Sequence, residues 1–194
     1  MVSKTASILE NNFCLNSVMI ELTTKCNLKC VHCYVCNRNE FKHTQTFPFE
    51  KLETLIEQLK KTKTIKVYLT GGEPFCHPKI NEILRVLKEN NFLVYVLTNA
   101  TLINQNNINI IKKYVYKILT TCYGDSKETY EAVTGIKNSY DMYSKAIKLL
   151  KENKIHCFVY DKTVANPTDR NVEEARELYG KMGEHFKTLG SWQI

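Results

Sequence analysis

Apolar residues recur along this chain in two alternating rhythms. Short runs rich in β-branched and aromatic residues read as strands at 17–23, 65–70, 93–98, 115–122, 155–160 and 185–194. Between them the period changes to that of a helix. Leu52, Leu55, Ile56 and Leu59 share one helical face, as do Ile80, Ile83, Leu84 and Leu87, then Tyr143, Ala146, Ile147 and Leu150, and then Val172, Ala175, Leu178 and Met182. A less regular helix, rich in Asn and Ile, is expected at 103–114, and Pro78 suits the first turn of the second helix. Strand and helix alternating in this way predict an α/β fold with parallel strands and crossover helices. An eight-unit barrel takes about 250 residues, so six units take roughly 190. The 194 residues fit six units. No linker or internal repeat divides them, so one domain is expected over 17–194, after an N-terminal extension at 1–16.

Composition narrows the class. With 43% hydrophobic and 24% charged residues the chain has the balance of an ordinary globule. No apolar run nears the ~18 residues of a membrane span, and the polar start has no signal-peptide core, so a cytoplasmic address is expected. The net charge of +7 is spread over helix faces such as Lys60, Lys61 and Lys63, with no basic run interleaved with aromatics. Neither a membrane nor a nucleic-acid partner is indicated. Eight cysteines in a reducing compartment point to metal or redox chemistry rather than disulfides.

Those cysteines cluster. Cys26, Cys30, Cys33 and Cys36 lie together just after the first strand, whereas Cys14, Cys76, Cys122 and Cys157 are scattered. Three thiolates on one loop can hold three irons of a four-iron cubane and leave the fourth open to a ligand. A closed four-thiolate site that includes Cys36 is the alternative, and would make an electron carrier or a structural module. The second constellation is Gly71-Gly72-Glu73-Pro74 at the end of the second strand, where α/β folds place ligands. Its glycines admit a close backbone approach, and its carbonyls and the Glu73 carboxylate are acceptors for a cationic amine. As plain punctuation it is a βα turn.

Together, Cys26-x3-Cys30-x2-Cys33 with His32 before the third cysteine, and Gly71-Gly72-Glu73-Pro74, resemble the radical S-adenosylmethionine (radical SAM) superfamily. The resemblance implies a partial (β/α)6 open TIM-like barrel with a [4Fe–4S] cluster on Cys26, Cys30 and Cys33. It also implies S-adenosylmethionine along Gly71, Gly72, Glu73, Asn99 and Thr121, with His32 and Tyr34 near the adenine. Enzymes of this kind reductively cleave the cofactor to a 5'-deoxyadenosyl radical, with electrons from a reduced flavodoxin- or ferredoxin-type donor.

The run from Cys122 to Gly135 looks like the SPASM-type branch, with Thr121 where Ser is usual and Tyr130-Glu131 where His-Asp is usual. The 162–166 run and the helix from Asn171 also fit that branch. This implies a peptide or protein substrate, without the C-terminal auxiliary-cluster domain and with no room before the first strand for a leader-recognising domain. A glycyl-radical activase, a nucleobase-modifying enzyme, a non-catalytic iron–sulfur protein and a truncated remnant are the alternatives. Of the remaining thiols, Cys36 is read as spare, Cys76 and Cys122 as approaching the mouth, and Cys14 and Cys157 as packing. His43, His77, His156 and His185 have no partners at ligand spacing, and no side chain is assigned to catalysis.

Overall fold

The structure, a computed structural model, describes residues 14–33, 35 and 44–161. Five strands, β1 (Ser17–Thr23), β2 (Lys66–Gly71), β3 (Leu93–Leu97), β4 (Lys117–Cys122) and β5 (Cys157–Asp161), form one parallel sheet in the order of the sequence. The expected sixth strand at 185–194, the helix from Asn171 and the 162–166 run lie outside the described residues. Between the strands run α1 (Leu52–Lys61), α2 (Ile80–Glu89), α3 (Ile108–Tyr114), α4 (Lys127–Thr134) and α5 (Ser139–Glu152).

The core follows from the two periodicities. Alternation along the strands turns Val67, Leu69, Val94, Val96 and Ile118 to one face, where all are fully buried. Against them α1 sets Leu52, Leu55, Ile56 and Leu59, and α2 sets Ile80, Ile83, Leu84 and Leu87. Each such side chain contributes roughly 2 kcal/mol on leaving water. The other sheet face carries Tyr68 and Tyr95, stacked at 4.5 Å. Because neighbouring strands are parallel, their carboxyl ends share one rim. Among the described residues no helix is long and apolar enough to cross a membrane.

Besides shifts of one or two residues at strand ends, two helix starts differ from the sequence reading. The Asn-rich stretch is a turn before α3, because Asn104 and Asn107 spend their side chains on local backbone groups, including the Leu102 carbonyl. Pro78 stands in a turn ahead of α2, whose first residue, Ile80, donates back to the His77 carbonyl at 3.1 Å. The structure also adds α4, too short to announce itself by periodicity. It is fixed by a capping box, with Ser126 Oγ accepting from Thr129 N–H, and by Gly135 at its left-handed end.

Candidate cluster and cofactor site

The cysteine loop begins where β1 ends, and its backbone is laid on the end of β2. The β1–β2 register shifts between Glu21 and Thr23, so that Thr23 pairs with Gly71. Gly71 has a φ of 132°, and a Cβ there would overlap the Thr23 carbonyl oxygen. Gly72 N–H donates to that same oxygen at 2.7 Å, and Glu73 N–H donates to Lys25 O at 2.9 Å. A Cβ on Gly72 would stand 2.5 Å from Lys25 O and 2.6 Å from Thr24 O. The close approach expected of these glycines is therefore made to the cysteine loop itself. On the far side, residues 45–47 return along the loop, with Phe47 N–H donating to Leu22 O at 2.8 Å and Thr24 N–H to Gln45 O at 2.9 Å.

Glu73 turns inward. It is fully buried, and its Oε1 accepts from the Thr98 hydroxyl at 2.7 Å and Phe75 N–H at 3.1 Å, while Oε2 accepts from Asn99 N–H at 2.8 Å. Burial pushes its pKa up to about 7, against the pull of those three donors. The carboxylate read from the sequence as an acceptor for an amine thus has its oxygens engaged in tying β2 to β3.

Asn99 continues the connection. Its Nδ2 donates to Asn27 Oδ1 at 3.0 Å and lies 3.7 Å from the Cys26 sulfur. Its Oδ1 accepts from Thr101 N–H, at 2.9 Å, and from the Thr101 hydroxyl, whose oxygen accepts from Asn27 Nδ2 at 2.8 Å. This ring of amides and hydroxyls holds the chain beside Cys26. Burial, above all, raises the Cys26 thiol to about 11, with Leu28 N–H acting the other way and Glu73, Cys33 and Cys76 adding to the rise. Such a thiol keeps its proton until a cation claims the sulfur.

Cys30 is gripped from another side. Lys29 N–H donates to Thr134 O at 2.9 Å and Val31 N–H to Val133 O at 3.0 Å, so carbonyls left over at the end of α4 hold both neighbours of Cys30. Gly135 permits this, since a Cβ there would stand 2.7 Å from Lys29 O. Cys33 N–H closes a turn on Cys30 O at 3.1 Å. His32, between the two, is buried with its ring 4.8 Å from that of Tyr123, and desolvation lowers its pKa to about 4, so it is neutral.

The donor set fits an iron–sulfur cluster. Cys26, Cys30 and Cys33 lie along one anchored turn and offer the thiol donors that such clusters take, although among the described residues no three His, Cys, Asp or Glu side chains converge on a metal-ion site. Among the described residues, the buried hydroxyls of Tyr130 and Thr120 have no hydrogen-bond partner.

The sequence pattern of the radical SAM superfamily matches residues 20–179. This chain belongs to that superfamily. Radical SAM enzymes use a [4Fe–4S] cluster and S-adenosylmethionine. The chain is 32% identical over 164 residues to the antilisterial bacteriocin subtilosin biosynthesis protein AlbA of Bacillus subtilis, covering 84% of this chain and 35% of AlbA. It is 30% identical over 164 residues to 7-carboxy-7-deazaguanine synthase of Aquifex aeolicus, covering 84% of this chain and 65% of that enzyme. The crystal structure of Streptococcus suis SuiB superposes with a TM-score of 0.64 at 24% identity, over 80% of this chain and 36% of SuiB. SuiB has also been solved bound to its precursor peptide SuiA and bound to S-adenosylmethionine. The chain spans about a third of AlbA and of SuiB.

Within the radical SAM core, the structure gathers Cys26, Glu73 and Asn99 in one hydrogen-bonded region, with Gly71 and Gly72 beneath the loop. Thr121 is on β4, half-buried and paired in the ladder with Tyr160. Tyr34 and Cys36 lie outside the described residues. Cys76 is beside the loop, where Asn27 N–H donates to its sulfur, and burial pushes its thiol up. The Cys122 thiol donates to Gly124 O at 3.1 Å. Cys14, expected to pack, is exposed, because it precedes β1 and lies beyond the core. His77 is a satisfied core residue, with Nδ1 accepting from Lys79 N–H and Nε2 on the Phe47 carbonyl at 2.9 Å. Sequence reasoning missed Asn27, Thr98 and Thr101, whose partners are distant in the chain. It noted Gly135 without its purpose.

Proposed function

We propose that this chain holds a [4Fe–4S] cluster on Cys26, Cys30 and Cys33 and uses it to cleave S-adenosylmethionine for the modification of a peptide or protein. The observation that carries the reading is the docking of the three-thiol loop, by backbone hydrogen bonds, onto the Gly71-Gly72-Glu73 turn. When bound, the cluster and its cofactor supply an electron and a carbon radical that removes hydrogen from the substrate. The chain's own residues orient and shield. Asn99 and Asn27 position the Cys26 sulfur, α4 positions Cys30, and His32 and Tyr123 close the loop's inner side against water. Gly71, Gly72, Asn99 and Thr121 are assigned to the cofactor. Glu73 supports the same region from behind, by holding Thr98 and Asn99.

A peptide substrate is supported by the similarity to AlbA, a bacteriocin biosynthesis protein, and by the fold shared with SuiB, which binds a precursor peptide. A second reading, a nucleobase-like substrate, is favoured by the similarity to 7-carboxy-7-deazaguanine synthase. Anaerobic reconstitution followed by reduction tests the first step: about four irons per chain and release of 5'-deoxyadenosine are expected. Cys36→Ala is expected to keep both, and loss of the cluster in that variant would reassign the ligands. Transfer of deuterium from a carbon-deuterated candidate peptide into 5'-deoxyadenosine supports the peptide reading. Transfer only from a deuterated purine analogue or its precursor sinks it.

A further inference from the structure

Tyr130 is completely buried, yet its hydroxyl meets no partner among the described residues. Its ring is well packed, 5.1 Å from Tyr143, 5.7 Å from Tyr140 and 5.9 Å from Tyr123. Phenylalanine would fill the same space without stranding a donor. A buried hydroxyl without a partner among the described residues asks for an acceptor beyond them.

The helix says where that acceptor lies. Tyr130 lies one turn before Val133 and Thr134, and its ring is 5.9 Å from that of Tyr123, which in turn is 4.8 Å from the ring of His32 on the cysteine loop. Val133 and Thr134 give their carbonyls to the residues on either side of Cys30. After Tyr143, the groups near enough to the phenol for their charge to bear on it are Cys122, Cys30 and Glu73. Cys30 is the group that becomes a strong acceptor when its sulfur is a thiolate on iron.

We propose that the Tyr130 hydroxyl donates a hydrogen bond to the Cys30 corner of the [4Fe–4S] cluster, to its thiolate or the adjoining sulfide, and thereby raises the cluster's reduction potential. Added negative charge strengthens a hydrogen bond to sulfur, so the bond favours the reduced state. Tyr130 is on this view a positioning and tuning residue, and the inference rests on the cluster assignment above.

The test is an EPR-monitored redox titration of the reconstituted full chain. In Tyr130→Phe the iron content is expected to hold, while the ratio of reduced to oxidised cluster at a fixed potential falls about tenfold, equivalent to 59 mV for a one-electron couple. Tyr130→His, which keeps an N–H donor, is expected to recover part of that loss. Tyr140→Phe removes a hydroxyl that already bonds the Asp125 carbonyl, and is expected to leave the midpoint unmoved. A midpoint unchanged in Tyr130→Phe with four irons bound overturns the proposal. Failure of the unaltered chain to take up a cluster overturns the cluster assignment instead. If Tyr130→Phe takes up no iron, cluster-free melts decide. Melting at or above the unaltered protein supports the proposal, and a lower melting temperature shows a partner other than the cluster and overturns it.

Discussion

Glu73 shows how one side chain serves a site from behind it. Its folded pKa of about 7 stands above its ordinary 4.5, so the native state binds the proton more tightly than the unfolded chain. The sign follows. Stabilisation from neutral Glu73 is complete below pH 4.5 and is lost as pH rises towards about 7, a change of about 3 kcal/mol at most. Denaturant unfolding of the cluster-free protein should show stability falling between pH 5 and pH 7.5. Glu73→Gln should flatten that slope while lowering stability at acid pH, because its amide must face an N–H donor. A rise in stability across the interval in the unaltered protein would contradict the assignment. Residue positions here were legible in the sequence, but orientation was not. The spacing of Cys26, Cys30 and Cys33 and the Gly71-Gly72-Glu73 turn marked the site. Which way Glu73 points depends on the register shift after Glu21 and on Thr98 and Asn99, contacts no local pattern records.

At the scale of the element, α4 decides how the Cys30 side of the loop is held. The helix is stopped by Gly135 at a φ of 66°, and the same glycine lets Lys29 approach. Gly135→Ala combines a left-handed alanine, costing about 1 kcal/mol, with a displaced Lys29 carbonyl. The expected result is a modest fall in melting temperature but a severalfold faster loss of iron from the reconstituted protein under a mild chelator. Iron retained at the unaltered rate would show that the α4 contacts do not matter to Cys30. The Thr134-Gly135 pair was visible in the sequence as part of a longer motif. Its meaning was not, since a helix of eight residues with few apolar positions gives periodicity too little to work on. By contrast α1 and α2, each with four buried residues on one face, were read correctly from spacing alone.

For the molecule as a whole, the sheet and the loop are separable. None of Cys26, Cys30 and Cys33 belongs to the buried core, which is built from aliphatic residues of the strands and helices. Removing the cluster, or replacing all three cysteines by alanine, should therefore leave far-UV circular dichroism and a cooperative melt in place, unlike a zinc finger stripped of its metal. Collapse of the far-UV signal would make the cluster part of the folding core. The order of the five strands was legible because alternating strands and helices leave few ways to lay down a parallel sheet. That residues 45–47 return against the loop was not legible, because such a pairing has no signature in composition.

The groups that steady the thiol-bearing turn come from residues 71–73, 99–101 and 133–134, all of them made after it. A ribosome thus delivers the three proposed ligands early and their supports late. Iron offered to the growing polypeptide before Gly135 clears the exit tunnel would find three thiols on a loose tether, so under the proposed ligand set insertion of the cluster is expected after synthesis of the fourth strand and the helix that follows it.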